Sequence, residues 1–294
     1  MSIDFSNKTA IISGAAGGIG FALARELGQL GMNIVMADID EDSLKTSETT
    51  LRNEGVSVLA CKLDVTHFDE WQTLVTSAQA RFGKVHMLIN NAGVGGVPSS
   101  IDKSDNAIWQ WVVDVNLMGV MFGAKVVTPA IKEHGEGGWI INVASMAGMT
   151  GVPFSSAYSA TKAAVVSMTE SWAIELKKHN IHVSALCPAF VKTRIHESLR
   201  TKQDKYDTDV LQKNPESIKK GFGEAAALVE SGIEASLLAK RVVEALNSKQ
   251  TYIFTHPNYR ESMANRAAYI DSAFADAENS PLVGHLKDDE VTTL

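Results

Sequence analysis

Short apolar runs alternate along this chain with segments whose apolar residues recur every three or four positions, and the alternation persists from Thr9 to about Phe254. The runs Thr9–Ser13, Asn33–Ala37, Val56–Lys62, Met87–Asn91, Gly138–Ala144, His182–Cys187 and Thr251–Thr255 are each bounded by turn or helix signals and predict strands. Between them the spacing predicts helices near 18–30, 41–54, 67–82, 104–134, 156–179 and 233–248. Strands and helices in strict alternation predict an α/β fold, a doubly wound parallel sheet of about seven strands with helices on both faces, because right-handed crossovers deposit helices on either side. Ligands of such sheets collect at the carboxyl ends of the strands. Those ends carry Gly14, Asp38, Asp64, Asn90, Ser145 and Pro188, which assigns them to one site.

With 294 residues and 45% hydrophobic content, the chain has enough apolar side chains for one large domain. No Pro/Ser-rich spacer, low-complexity tract or repeat divides it, so 1–255 is read as a single domain and 256–294 as a C-terminal extension in which Ser262–Ala275 can form a further helix. The stretch Arg194–Gly232 is long and polar, punctuated by Ile195, Leu199, Tyr206, Leu211 and Phe222, and predicts a helical lid spanning about 190–232. A net charge of −7 with no basic run longer than a doublet, as at Lys177-Lys178 and Lys219-Lys220, argues against a nucleic-acid groove. No apolar run of membrane-spanning length and no basic-apolar leader is read, so a soluble, cytoplasmic protein is expected. Cys61 and Cys187 fall in strand-like segments and read as structural, and the histidines suggest no metal site, since His179 and His182 straddle a helix end without a third ligand.

Directly after the first strand stands Ser13-Gly14-Ala15-Ala16-Gly17-Gly18-Ile19-Gly20, and directly after that a helix begins. A strand feeding a glycine turn and then a helix aims backbone N–H groups and the positive helix end at one spot, where a pyrophosphate can be held. The spacing is not the G-x-G-x-x-G dinucleotide fingerprint, so context carries the reading. That context is a complete βαβ unit ending at Asp38, where a carboxylate can accept hydrogen bonds from the adenosine ribose of NAD and repel a 2′-phosphate.

Tyr158 and Lys162 lie four residues apart in a helical stretch and project from one face. A phenol with pKa near 10 is a poor base at neutral pH, and lowering it by about three units needs roughly 4 kcal/mol of preferential stabilisation, which a nearby ammonium and a cofactor cation can supply. Ser145 ends a strand thirteen positions before Tyr158, within reach of a substrate oxygen, and Asn116 on the preceding long helix can hold a water against Lys162.

Together these residues resemble the short-chain dehydrogenase/reductase family, to about residue 255. Its T-G-x-x-x-G-I-G appears as Ser13-Gly14-Ala-Ala-Gly-Gly18-Ile19-Gly20, its N-N-A-G as Asn90-Asn91-Ala92-Gly93, and its Y-x-x-x-K as Tyr158 to Lys162. The resemblance implies a Rossmann-like fold and an NAD-dependent alcohol dehydrogenase. Tyr158 would transfer the proton, Lys162 would lower its pKa and bind the nicotinamide ribose, Ser145 would steady the carbonyl oxygen, and Asn116 would complete a proton relay. Asp64 and Val65 would hold adenine, and Asn91 the nearby ribose. Ala92 and Gly93 complete that turn, while Pro188, Val191 and Thr193 match positions that bond the carboxamide and the phosphate. Two positions depart from the pattern: Ser13 replaces the usual Thr, and Ala189 replaces the usual Gly after Pro188, where a Cβ restricts the backbone or narrows the nicotinamide pocket.

On the same resemblance, substrate walls would come from Val94 and Gly95, from Met146 and Ala147, from Phe154 and from Phe190, all apolar or small, which suits a bulky apolar secondary alcohol. The segments Ile195–Ser198 and Thr255–Glu261 are similar to parts of the branch that oxidises benzylic alcohols of lignin-type aryl ethers. Family members pair through the two long helices, which implies a homodimer or homotetramer. Two alternatives stay open. One is NADPH-dependent carbonyl reduction on the same fold, which Asp38 opposes. The other is a sensor that binds NAD without turnover, which would not need Tyr158, Lys162, Ser145 and Asn116 together.

Overall fold

The computed structural model describes residues 3–213 and 215–286. Seven strands, β1 (Thr9–Ser13), β2 (Asn33–Asp38), β3 (Val58–Lys62), β4 (Met87–Asn90), β5 (Gly138–Val143), β6 (Ile181–Cys187) and β7 (Tyr252–Phe254), form one parallel sheet in the order β3-β2-β1-β4-β5-β6-β7. The order reverses between β1 and β4, so a crevice opens at their carboxyl ends. Side chains alternate across the sheet as a strand requires: Ile11 joins one buried cluster with Trp71, Leu88 and Trp111, while Ala10 and Ile12 join the other with Leu23, Leu27 and Ile89. Both faces are therefore covered, which is why the strands read as continuous apolar runs.

The covering helices are α1 (Gly18–Gln29), α2 (Glu41–Asn53), α3 (Phe68–Phe82), α4 (Asn106–Val113), α5 (Gly119–Glu133), α6 (Met146–Met149), α7 (Ser156–Leu176), α8 (Val210–Lys213), α9 (Pro215–Glu230) and α10 (Ala235–Asn247). The single helix expected over 104–134 is interrupted. Asp114–Met118 form a π turn between α4 and α5, in which the Gly119 N–H donates to the Asp114 carbonyl. Gly119 lies so close to Val65 that a Cβ would stand 2.8 Å from its Cγ2, so the wide turn brings this helix onto the loop after β3. The expectation that no apolar run reaches spanning length also needs correction: Asn106–Glu133 is 28 residues long, its most apolar 18-residue window has mean hydropathy 1.3, and half of that window is buried within the fold. Length and composition alone cannot separate a core helix from a spanning one.

By internal contacts the chain divides into two units, Met1–Thr255 and His256–Leu294. The second unit is built on α11 (Arg260–Glu278), longer than the helix expected at Ser262–Ala275, and residues 287–294 of the extension lie outside the described residues.

At the amino end of the sheet the fold assembles a group that the sequence reading did not single out, His86, His134 and Glu136. The Thr9 N–H donates to His86 Nδ1 at 3.1 Å, so the ring hydrogen sits on Nε2 and faces Glu136 Oε2 at 3.2 Å. His134 Nε2 lies 2.8 Å from the Val85 carbonyl while its Nδ1 accepts the Glu136 N–H. Lys84 and His86 together hold the Glu136 carboxyl down at about 2. Burial pushes His86 below its ordinary value of 6.5, against the pull of Glu136, because desolvation disfavours the charged ring. A base depressed in the fold contributes stability above its unfolded pKa and loses it as pH falls through 6.5 toward the folded value. The urea midpoint is expected to drop between about pH 7.5 and about pH 5.5, across the range where an imidazole charges. His86→Leu should lower stability by about 1–3 kcal/mol at the higher pH and shrink the difference between the two; an unchanged difference would refute the assignment.

Candidate functional site

The glycine turn and the loop after β4 are built against each other. Ser13, buried at the end of β1, accepts hydrogen bonds on Oγ from the N–H groups of Asn91 (3.0 Å) and Ala92 (3.2 Å). In return the Asn91 side chain donates to the carbonyls of Ser13 and Gly14, both at 2.9 Å. The hydroxyl that Ser13 shares with the usual Thr is thus what joins the two loops. Gly14 adopts φ +65°, and a Cβ there would meet Ala92 Cα at 2.7 Å; at Gly20 a Cβ would stand 2.2 Å from the Gly14 carbonyl oxygen. Gly18 also has positive φ and backs onto Thr193, whose Cγ2 a Cβ would meet at 3.1 Å. Ile19 packs into the core in the first turn of α1. No side chain caps that helix, so its first N–H groups face the crevice.

Along the same edge, Asp38 ends β2 with Oδ2 accepting the Ala16 N–H (2.9 Å) and Oδ1 the Asp40 N–H (3.0 Å). Desolvation raises its pKa and these two donors partly offset it. Asp64, buried just after β3, accepts from the Thr66 N–H and hydroxyl, and Val65 is buried against Gly119 and Trp71.

α7 carries Tyr158 and Lys162 on one face, and Lys162 is only 3% exposed. Its ammonium donates to the Val143 carbonyl at 2.7 Å and stands 5.6 Å from the centre of the Tyr158 ring. Gly93 fits between Lys162 and Asn116, since a Cβ there would lie 3.4 Å from Nζ and 3.3 Å from the Asn116 Oδ1. Asn116 projects from the π turn and is locked to Val94 by a donor and an acceptor, at 2.9 and 2.8 Å. Ser145 caps α6 through the Ala147 N–H and donates to the Pro188 carbonyl. α6 in turn packs backbone to backbone on α7, where a Gly148 Cβ would meet the Lys162 carbonyl at 2.5 Å. This contact brings the Ser145 hydroxyl into hydrogen-bonding reach of Tyr158.

Burial pushes the Tyr158 phenol up, with Ser145 pulling it down, and pushes Lys162 down to about 8. In the chain alone, then, desolvation outweighs the expected lowering of the phenol by the ammonium, because Nζ turns to the Val143 carbonyl rather than to the hydroxyl.

Val191 and Thr193 leave the sheet on the other side of the crevice. Val191 is buried in a bridge to Ile233, and Thr193 lies over Gly18. Ala189 is not among the non-glycine residues with positive φ, so its Cβ imposes no left-handed strain.

Beside Tyr158 opens a pocket of about 390 Å³ including its mouth. Gly95 and Phe154 line it, whereas Val94, Met146, Ala147 and Phe190 are not among its lining residues; Val94 and Met146 are buried in the scaffold. The sequence reading missed the contribution of α4, which supplies Ile108, Trp109 and Val112, with Asp105 at its cap. Ile108 and Val112 are buried in the core and border the cavity as well, and nothing in the helical spacing marks α4 as a pocket wall. Phe154 holds φ +62° at the mouth. The backbone geometry separates two substitutions: Gly20→Ala should lower the melting temperature sharply through its clash with the Gly14 carbonyl, and Gly17→Ala, with open space around its Cβ, should leave it nearly unchanged. Equal melting temperatures would contradict the described turn.

The chain matches the short chain dehydrogenase family over residues 8–204. It is 34% identical over 271 residues to a CLA biosynthesis dehydrogenase/reductase of Lactiplantibacillus plantarum, covering 91% of this chain and 94% of that one. It is 30% identical over 279 residues to a C alpha-dehydrogenase of a Sphingobium species, covering 95% and 90%. A short chain dehydrogenase/reductase from Burkholderia phymatum, solved in complex with NAD, superposes with a TM-score of 0.88 at 35% identity, covering 92% of this chain and 96% of that one. With its glycine turn, its Asn-Asn-Ala-Gly loop and its Tyr–Lys helix drawn to one crevice, the chain belongs to the short-chain dehydrogenase/reductase family of oxidoreductases.

Proposed function

We propose that this protein interconverts a neutral, largely apolar secondary alcohol and its ketone, with NAD as hydride carrier and Tyr158 as general acid/base. The observation that carries this reading is Tyr158 lining the pocket, with the Ser145 hydroxyl within hydrogen-bonding reach of it and the buried Lys162 ammonium 5.6 Å from its ring centre. The crevice suits a dinucleotide: Gly17 opens onto free space at the uncapped start of α1, and Asp38 stands at the end of β2 for a ribose. Among the described residues the Lys162 ammonium donates to the Val143 carbonyl, and its remaining N–H bonds would suit ribose hydroxyls. On this reading Ser13, Gly14, Gly18, Ile19 and Gly20 cradle the pyrophosphate. Asp64 and Val65 flank the adenine, Asn91, Ala92 and Gly93 line the crevice floor, and Pro188, Val191 and Thr193 border the carboxamide. The related structure with bound NAD supports the choice of carrier.

In oxidation the substrate hydroxyl hydrogen-bonds Ser145 and Tyr158, and its proton passes to the Tyr158 oxygen as the carbonyl forms. A bound oxidised nicotinamide would supply the hydride acceptor and, until the transfer, a positive charge beside Tyr158. The Lys162 ammonium would stabilise the Tyr158 phenolate that must be present before it takes this proton, and Asn116, fixed on Val94, would help pass the proton onward from the phenol. Reduction reverses these transfers. Ile108, Trp109, Val112, Phe154 and Val210 give the pocket apolar walls, while Ser99, Ser104, Asp105, Ser155 and Ser156 give it hydrogen-bonding groups. Among the described residues no lysine, arginine or histidine lines it, so a neutral substrate fits better than a carboxylate or phosphate. Benzylic alcohols of the Cα-dehydrogenase kind meet that description, and the similarity to such an enzyme favours them.

Tyr158→Phe should reduce turnover of apolar secondary alcohols at least about a hundredfold while NADH binding, read by fluorescence, persists. Oxidation should rise as pH increases from neutral to alkaline, because only the deprotonated Tyr158 can take the substrate proton and burial raises the phenol in the chain alone. Retained turnover in the variant, or a flat profile, would refute the assigned role. Asp38→Ser should weaken NAD and improve NADP, since a ribose acceptor and a repelling charge leave together; an unaltered preference would count against NAD selection at this carboxylate.

A further inference from the structure

Phe154 stands at the mouth of the pocket in a backbone conformation that its side chain opposes. Its φ of +62° lies in the left-handed region, where Cβ crowds the following carbonyl oxygen. Among the described residues four that are not glycine adopt positive φ: Asn7 and Asn180, of a type that tolerates it, Lys249, and Phe154, the one aromatic residue of the four. Burial of the ring does not offset this strain, since Phe154 is 64% exposed. A strained residue that contributes little to the core points to a function outside it.

The contacts around the ring locate that function. Its turn is closed by the Ser155 N–H on the Val152 carbonyl at 3.2 Å, and the Val152 N–H donates to the Ser159 hydroxyl at 3.3 Å. Ser159 is buried and follows Tyr158 on α7, so the turn is fixed to the helix that carries the phenol. On its other side the Phe154 carbonyl accepts the Ser99 N–H at 2.9 Å, which joins the turn to the loop running into Ile101. Ile101 is 70% exposed and Val152 41%. Phe154, Ser99 and Ser155 also line the pocket, so the apolar surface outside continues into the cavity. Asp102 and Lys103 follow Ile101 with opposite charges, which leaves that stretch without a net sign. The cavity itself, about 390 Å³ with its mouth, is near the lower end of the range for small-molecule sites.

We infer that Phe154, Val152 and Ile101 form an outer subsite for the neutral apolar arm of a substrate too long for the pocket, so that the preferred alcohols are those with one substituent extending past the mouth. The inference rests on the reaction read above and deepens it: the cavity beside Tyr158 receives the carbinol carbon, and the rim receives the alkyl or aryl arm that leaves it. Covering the ring with such an arm removes from water the apolar area that the free chain leaves exposed. The occupant is substrate rather than a second copy of the chain because the surface runs unbroken into the cavity and is tied to the helix of Tyr158.

The test uses the full chain, NAD and a series of 1-phenylethanols carrying straight 4-alkyl groups from methyl to hexyl. In the parent, kcat/KM should climb about twofold per methylene once the arm clears the mouth, half the free energy of a fully buried methylene. In Phe154→Gly and in Ile101→Ser that slope should flatten, whatever the rate with the shortest member. Phe154→Gly should also melt at a higher temperature than Phe154→Ala, because both lose the ring and only glycine takes this φ without strain; an alanine variant of equal stability would remove the strain and overturn the inference. If the parent oxidises no member of the series, the reading of the reaction falls and the outer subsite with it. If it oxidises them with no gain along the series, or if the gain survives in both variants, the outer subsite is wrong and the reaction stands. A change of oligomeric state in Phe154→Gly, read by light scattering, would assign the ring to a second copy and overturn the inference as well.

Discussion

The site depends on an ammonium kept out of water. Lys162 is almost wholly buried, and a charge in that position persists only if its N–H bonds find acceptors. The Val143 carbonyl at the end of β5 supplies one, and it fixes α7 against the sheet at the level of the crevice. Every other element near Tyr158 accommodates that placement. Gly93 leaves room for the ammonium, Gly148 lets α6 close on α7, and Ser145 is delivered to the phenol by that closure.

A second set of polar contacts keeps this arrangement in register. Asn90 donates to Asn142, and Asn142 donates to Thr169 on α7, each at 2.9 Å and all fully or nearly fully buried. The chain of hydrogen bonds ties β4, β5 and α7 together one layer below the site. Partly unsatisfied buried amides are costly, so a slip of α7 by one residue would leave several polar groups without partners. The crevice on the cofactor side is held by a different device, close backbone approach, in which Ser13 and Asn91 exchange hydrogen bonds across the gap between β1 and β4. One half of the site is thus positioned by side-chain polarity and the other by the absence of side chains.

The region that the sequence presents as one lid touches both sides of the crevice, with Thr193 over Gly18, Ser198 on Gly95 and Val210 at the pocket. Polar residues at irregular spacing carry no periodic signal, so Arg194, Lys205 and Tyr206 gave no hint of which side of the crevice they face. The answer lies in partners far along the chain, such as Asp40, Thr66 and Asp114. The π turn at Asn116 was hidden for a related reason. Apolar residues repeat through 104–134 as in one helix, and the interruption arises from the packing of Gly119 on Val65, a contact between segments more than fifty residues apart.

Residue order alone determined the strands, the α/β alternation, the glycine turn and the Tyr–Lys pair on one helix face, because each rests on local spacing and on steric rules for individual residues. The parallel sheet order follows from those elements and the handedness of their connections. Tertiary structure decided the rest. It set Ile108, Trp109 and Val112 beside a cavity, directed the Lys162 ammonium to a carbonyl rather than to the phenol, and grouped His86, His134 and Glu136 at the far end of the sheet. Those outcomes turn on distance and desolvation between residues remote in sequence, and neither quantity exists until the chain is folded.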